Sequence, residues 1–219
     1  MPVDPAAPIE VTAFAWVPPF ARGQVRDLRV RWALEEAGLP YRVRLLQGER
    51  PADYYREQPW GQVPAYREGG VALFECGAIC LHIAEKSEAL LPRDEAGRGR
   101  ATTWLFAALN SMDVPAMGLT ITSIFNAEAD WSAGASAAFA AFLDQRLSRL
   151  SDWLGEREWL EGRFTVGDLM MVCVLRSIAD EGLVAKYPNL AAYVARGEAR
   201  PAFIRAMQAH MADFVAEPA

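Results

Sequence analysis

Residues 61–79 hold two short phrases, Gly61-Gln62-Val63-Pro64-Ala65 and Phe74-Glu75-Cys76-Gly77-Ala78-Ile79. Val63-Pro64-Ala65-Tyr66 reads as a short strand, Glu68-Gly69-Gly70 as a turn and Val71-Ala72-Leu73-Phe74 as a second strand. The segment is therefore a hairpin that runs into a helix. A proline opening a strand cannot donate to the ladder, so it needs an edge position or a cis bond. With Val63-Pro64 cis, the N–H and C=O of Val63 would face outward and could pair with an extended peptide. The helix after Glu75 offers free amides and the positive end of its dipole to a carboxylate. Glu75 offers an acid to an ammonium. A backbone pairing site, an anion site and an acid on one edge make a recognition set for a short peptide with an amino acid head.

Upstream, residues 9–17 are β-branched and apolar enough for a buried strand. Val30, Ala33, Leu34 and Ala37 form a helix stripe, closed by Gly38 and Pro40. Tyr41, Val43 and Leu45 alternate with Arg42 and Arg44 as a half-exposed second strand. Residues 47–60 are polar and irregular, and residues 76–86 show helix spacing. The order is strand-helix-strand, then strand-strand-helix. Downstream, residues 92–100 are charged and contain glycine, as a linker does. Stretches 101–118, 135–154, 166–180 and 188–213 have helical spacing and no strand signal intervenes. The expected organisation is a loose tail over 1–8, an α/β domain over 9–86, a linker over 87–97 and an all-helical domain over 98–219. One helix start is sharply marked: Thr165 and Asp168 form a capping box, flanked by Phe164 and Leu169 as a hydrophobic staple.

The totals narrow the function classes. A net charge of −6 disfavours a nucleic-acid binder. No apolar run reaches the roughly 20 residues that span a bilayer, and residues 1–8 lack the basic and apolar regions of a signal peptide. Three cysteines, Cys76, Cys80 and Cys173, match neither a disulfide framework nor a metal pattern. These readings point to a cytoplasmic protein without a bound metal.

The two phrases together resemble the glutathione site of the cytosolic glutathione transferases. The resemblance covers nearly the whole chain. It extends to Arg31-Trp32-Ala33-Leu34-Glu35-Glu36-Ala37-Gly38-Leu39-Pro40-Tyr41, to the cap at 164–169, and to Tyr187-Pro188-Asn189-Leu190 and Ala199-Arg200-Pro201-Ala202. It implies a thioredoxin-like first domain (βαβ-ββα) with a cis Pro64, an all-helical second domain and a homodimer, without assigning a class within the family. It implies that Gln62, Val63 and Pro64 bind glutathione, with Val63 holding its cysteinyl backbone, and that Glu75 and Cys76 hold its γ-glutamyl end. The family usually has Ser where this chain has Cys76. A thiol is a weaker donor than a hydroxyl, so this departure implies weakened binding. Alternatively, a thiol at a helix N-terminus could react with disulfides.

The turn after the first strand, Phe14-Ala15-Trp16-Val17-Pro18-Pro19-Phe20-Ala21-Arg22-Gly23-Gln24-Val25-Arg26, departs further. The family usually carries a catalytic Tyr, Ser or Cys there, yet from Ala13 to Pro40 this chain has no Ser, Thr, Cys, Tyr or His. Stabilisation of a thiolate would fall to Arg22, Gln24 or Arg26, a loop amide or the start of the first helix, with Arg22 as first choice. Equally, Arg22 and Arg26 could be solvated or paired with Asp27. Trp16 and Phe20, with Trp104 and Met112 from the second domain, are candidate walls for a small hydrophobic electrophile, although such a stripe also suits a core. The resemblance implies an enzyme that directs glutathione, as co-substrate, at that electrophile by conjugation or thiol-dependent reduction, as in detoxification. The alternatives are a non-catalytic glutathione-binding or regulatory module and a glutathione-dependent isomerase.

Overall fold

A computed structural model describes residues 3–215. In chain order its main elements are β1 (Ile9–Phe14), α1 (Asp27–Ala37), β2 (Tyr41–Leu46), β3 (Ala65–Glu68), β4 (Val71–Phe74) and α2 (Cys76–Ala84). There follow α3 (Glu95–Phe106), α4 (Val114–Thr120), α5 (Ser132–Leu154), α6 (Val166–Ser177), α7 (Pro188–Glu198) and α8 (Pro201–Ala212). The chain divides into two compact units: residues 1–91 with 199–219, and residues 92–198.

The first unit is a four-stranded sheet in the order β2-β1-β3-β4 with α1, α2 and α8. β1 runs parallel to β2 and antiparallel to β3, and β3 pairs antiparallel with β4. This is the expected thioredoxin-like arrangement. Gly38 ends α1 in the left-handed region at φ 67°, as its position after Ala37 predicts. In β2 the expected alternation fails at its end. Leu45 is exposed and Leu46 buried, because Leu46 joins a core cluster with Tyr54, Val63 and Ala65.

Of the tail expected over 1–8, residues 1–2 lie outside the described residues and the rest is ordered. Val3 bridges Tyr41, Asp4 N–H donates to the Tyr41 carbonyl at 2.8 Å, and Ala7 is buried. The free edge of β2 supplies the donors and acceptors that order this segment.

The second unit is helical. α3 and α4 are joined through a π-helical stretch, Ala107–Asp113, and a second one, Ile121–Phe125, follows α4. The stretch expected over 188–213 breaks before Pro201, whose ring cannot continue a helix from α7. α8 then packs against α1 in the first unit.

α6 is buried over ten successive residues, Val166 to Leu175, which leaves its start to be satisfied from within. The Thr165–Asp168 capping box forms as expected. Asp168 does more than cap. It also accepts from the Leu160 amide at 2.9 Å and the Tyr193 hydroxyl at 3.0 Å. Burial pushes the Asp168 carboxyl up, against these bonds, which hold it down. Asp168→Ala would leave two buried amides without acceptors and the Tyr193 hydroxyl with only the 3.4 Å bond to the backbone carbonyl at that position. The expected loss is about 3 kcal/mol in urea denaturation; a loss below about 1 kcal/mol would show that the cap is dispensable.

Candidate functional site

The register of the hairpin gathers the two phrases. Ala65 lies opposite Phe74, so Pro64 and Glu75 are the next residues out at one end of the sheet. β1 is antiparallel to β3, with Val11 opposite Tyr66, so β1 also finishes at that end. The turn, Val63-Pro64 and the start of α2 therefore share one edge. The Val63-Pro64 bond is cis.

Around this bond the backbone is held tightly on both sides. Gln58, buried, accepts through Oε1 from the amides of Trp60 at 2.7 Å and Gln62 at 3.1 Å. Tyr54 donates its hydroxyl to the Gln62 carbonyl at 2.6 Å and lies 2.9 Å from Thr12 Oγ1. Thr12 in turn accepts from the Ala65 amide at 2.7 Å. Since the Tyr54 proton goes to Gln62, Thr12 is the donor to Tyr54. Arg50 Nε donates to the Gly61 carbonyl at 3.1 Å. Gly61 sits at φ 65°, and a Cβ there would lie 2.8 Å from the Tyr55 ring, so only glycine fits. Gln62 and Ala65 are thus committed on either side of Val63, which precedes β3 and buries its side chain. The Gln62 side chain is exposed.

Glu75 precedes α2 at φ 67°, ψ 117°, a conformation that costs a non-glycine residue on the order of 1–3 kcal/mol. No side chain caps α2. Beneath its first turn lies Arg29 of α1, 4% exposed, whose Nη1 donates to Cys76 Sγ at 3.8 Å. The Cys76 thiol points to a buried cation, and it is 3% exposed. The donors left at this helix start are its amides.

Residues 20–85 match the family model of the glutathione S-transferase N-terminal domain. Glutathione S-transferase F11 of Arabidopsis thaliana is 28% identical over 174 residues, covering 74% of this chain and 81% of that protein. Glutathione S-transferase F10 of the same plant is 34% identical, and the match spans 38% of this chain and 41% of that protein's length. Among solved structures, a glutathione transferase family member from Pseudomonas fluorescens with two glutathione bound superposes with a TM-score of 0.80 at 24% identity, covering 94% of this chain and 95% of that one. Ure2p of yeast, in complex with glutathione, gives 0.80 at 21% identity with the same coverage. Residues 20–85 thus match the glutathione S-transferase N-terminal domain family, and the fold of the described residues is that of the glutathione transferases.

In this transferase fold the opening turn has few amides to spare. Ala21 and Arg22 donate to Pro18 and Pro19, Gln24 donates to Ala21, and Gly23 donates to His210 Nε2 at 3.3 Å. A loop amide from Ala21 to Gln24 is therefore already engaged. Arg22 carries its guanidinium 5.7 Å from the Phe214 ring, and its buried Nε has no hydrogen-bond partner. Asp27, the alternative partner for the arginines of the turn, instead takes Arg31 and His210. Trp16 is half-buried, and Phe20 is 49% exposed.

In the second unit Trp104 donates to Glu161 at 2.8 Å and packs 5.4 Å from Trp153, while Met112 is buried at 4%. Neither lines the open groove of about 590 Å³ formed by Asn110, Ser111, Val114, Phe139, Phe142 and Arg146, among others. Trp104 is half-buried and Met112 buried. Sequence reasoning passed over Thr12, Tyr54, Gln58 and His210. Thr12 lies one residue outside the window searched for hydroxyls, and polar residues inside an apolar strand signal a buried partner.

Glu75→Gly should relieve the strain at φ 67°. The expected gain is about 1 kcal/mol in denaturation, after the entropy cost of glycine. A loss of stability would show that the Glu75 side chain, rather than its backbone, supports α2.

Proposed function

We propose that the first unit binds glutathione at the sheet end where Val63-Pro64 meets Glu75-Cys76, and directs its thiolate at a small apolar electrophile. The observation that supports this reading is the register of Ala65 with Phe74. It sets a backbone segment outside the ladder beside a helix start that no side chain caps. Val63 would pair with the cysteinyl backbone of the tripeptide as an added strand. The first amides of α2, over the buried Arg29, would take the γ-glutamyl carboxylate, and Glu75 its ammonium. Gln62, through its exposed side chain, would extend the contact.

Arg22 is the proposed activator of the thiol. A buried donor without a partner costs about 1–3 kcal/mol, a cost that a ligand acceptor would remove. Trp16 and Phe20 would border the electrophile. No resident cofactor is required, since glutathione supplies the thiol. The same reading makes the protein a cytoplasmic homodimer acting in detoxification.

A second reading is a binding or regulatory module with the transferase fold and no turnover. The lack of any hydroxyl or thiol from Ala13 to Pro40 favours it. A neighbour described as a nitrogen regulation fragment has the same fold.

Titration calorimetry of the purified protein with glutathione should give saturable heat, with Glu75→Gly weakening it at least about tenfold, or 1.4 kcal/mol. No heat at millimolar glutathione would remove the enzyme reading. In Arg22→Ala, the pKa of the bound thiol should rise by about one unit. An unchanged thiolate absorbance titration in that variant, with a lowered bound-thiol pKa in the parent, would leave Gln24 or the α1 start as the activator. No lowering in the parent protein would favour the module.

A further inference from the structure

The opening turn rests on the C-terminal helix. Its Gly23 amide donates to His210 Nε2 at 3.3 Å, and His210 Nδ1 faces Asp27 Oδ2 at 3.0 Å. Because Nε2 accepts from an amide, the ring proton sits on Nδ1 and is donated to Asp27. Arg31 Nε holds the same carboxylate oxygen at 2.8 Å, and all three side chains are buried. Gly23 lies at φ 78°, and a Cβ there would touch Met207 of α8 at 3.5 Å. One residue earlier, Arg22 lies over Phe214, whose ring meets His210 edge-on at 4.9 Å. Val215 N–H donates to the Ala15 carbonyl at 2.9 Å. Residues 207–215 therefore touch the turn at Ala15, Arg22 and Gly23, and the helix start at Asp27.

Of the four amides from Ala21 to Gln24, three bond within the turn and that of Gly23 reaches out of it. Its acceptor thus decides where this backbone sits. We propose that His210 is a positioning residue for thiol activation. Through Gly23 it fixes the backbone from which Arg22 and Gln24 project, and with Phe214 it sets where the donor meets the glutathione sulfur. The inference rests on the reading that glutathione binds this unit. A displacement of about 1 Å at such a donor is enough to cost roughly a hundredfold in rate, so a side chain far along the chain can govern the chemistry without touching the ligand.

The test compares the parent protein with His210→Leu, His210→Gln and Phe214→Leu. Three quantities are read: exchange of the Gly23 amide by NMR, glutathione affinity by calorimetry, and the bound-thiol pKa by thiolate absorbance. His210→Leu should expose the Gly23 amide and raise the bound-thiol pKa by about one unit, a tenfold loss of thiolate. Affinity should change less than about twofold, because Val63 and α2 are untouched. Gln carries an acceptor near the place of Nε2, so His210→Gln should restore both readouts. A folded His210→Leu with an unchanged bound-thiol pKa overturns the proposal. So does a parent protein that binds glutathione without lowering its thiol pKa. If His210→Leu does not fold, Phe214→Leu decides in the same way: a raised pKa supports the proposal and an unchanged one overturns it. A parent protein that gives no heat with glutathione overturns the reading beneath it as well, and calorimetry separates that failure from the others.

Discussion

Asp27 opens α1 with no exposed surface, and Arg31, one turn later, is 1% exposed. Removing two such ions from water costs several kcal/mol each unless geometry and further bonds offset it. Here the offset comes from far along the chain. Arg31 reaches Asp213 at 2.5 Å, and His210 closes on Asp27. α8 must therefore dock on α1, or the charges are left bare. The docking continues outward. Trp32 meets Phe203 edge-on at 4.9 Å, Glu36 receives both arms of Arg200, and Arg205 pairs with Glu35. Once α8 is in place, it carries His210 and Phe214 to the opening turn.

Local patterns were legible in the sequence where one element decided them. The α1 stripe, the hairpin between Pro64 and Phe74 and the cap at Thr165 follow from spacing and turn chemistry alone. The strand-helix-strand, strand-strand-helix order followed from their succession, and its thioredoxin-like identity from the family resemblance. What depended on distant pairs was less visible. That α8 joins α1 rests on Arg31 meeting Asp213, a pairing separated by 182 positions. The Thr12–Tyr54–Gln62 relay joins a strand, a helical turn and a loop, and no one of them announces it. The Leu45 and Leu46 inversion reflects which core the end of β2 meets. Aromatic and thioether side chains such as Trp104 and Met112 suit pockets and cores alike, so their spacing alone assigns neither role.

The edge of the sheet is built unevenly. Around Val63 the Gly61 carbonyl, both Gln62 backbone groups and the Ala65 amide are tied down by Arg50, Gln58, Tyr54 and Thr12. Such preorganisation would lower the entropy lost by an extended ligand pairing there. Near Cys76 the side-chain donor is weak, and the charge of Arg29 lies below it instead. In the turn, the two prolines and a short helical turn over Pro19–Ala21 fix the chain direction, but no hydroxyl projects from it. In the turn itself the polar groups are arginines, Gln24, amides and the start of α1. Their fields act at longer range than a hydroxyl bond and fall with salt where they meet solvent.

The first unit is discontinuous along the chain: residues 199–215 return to it after the whole second unit has been made. During synthesis the sheet strands and α1 emerge with Asp27 and Arg31 already present, and without His210 or Asp213. Until α8 emerges, Asp27 and Arg31 lack the partners that offset their burial. The helical unit has every residue it needs before α8 appears. Translation thus lets the second unit finish first, and the unit that β1 begins receives α8 only after the helices of the second unit.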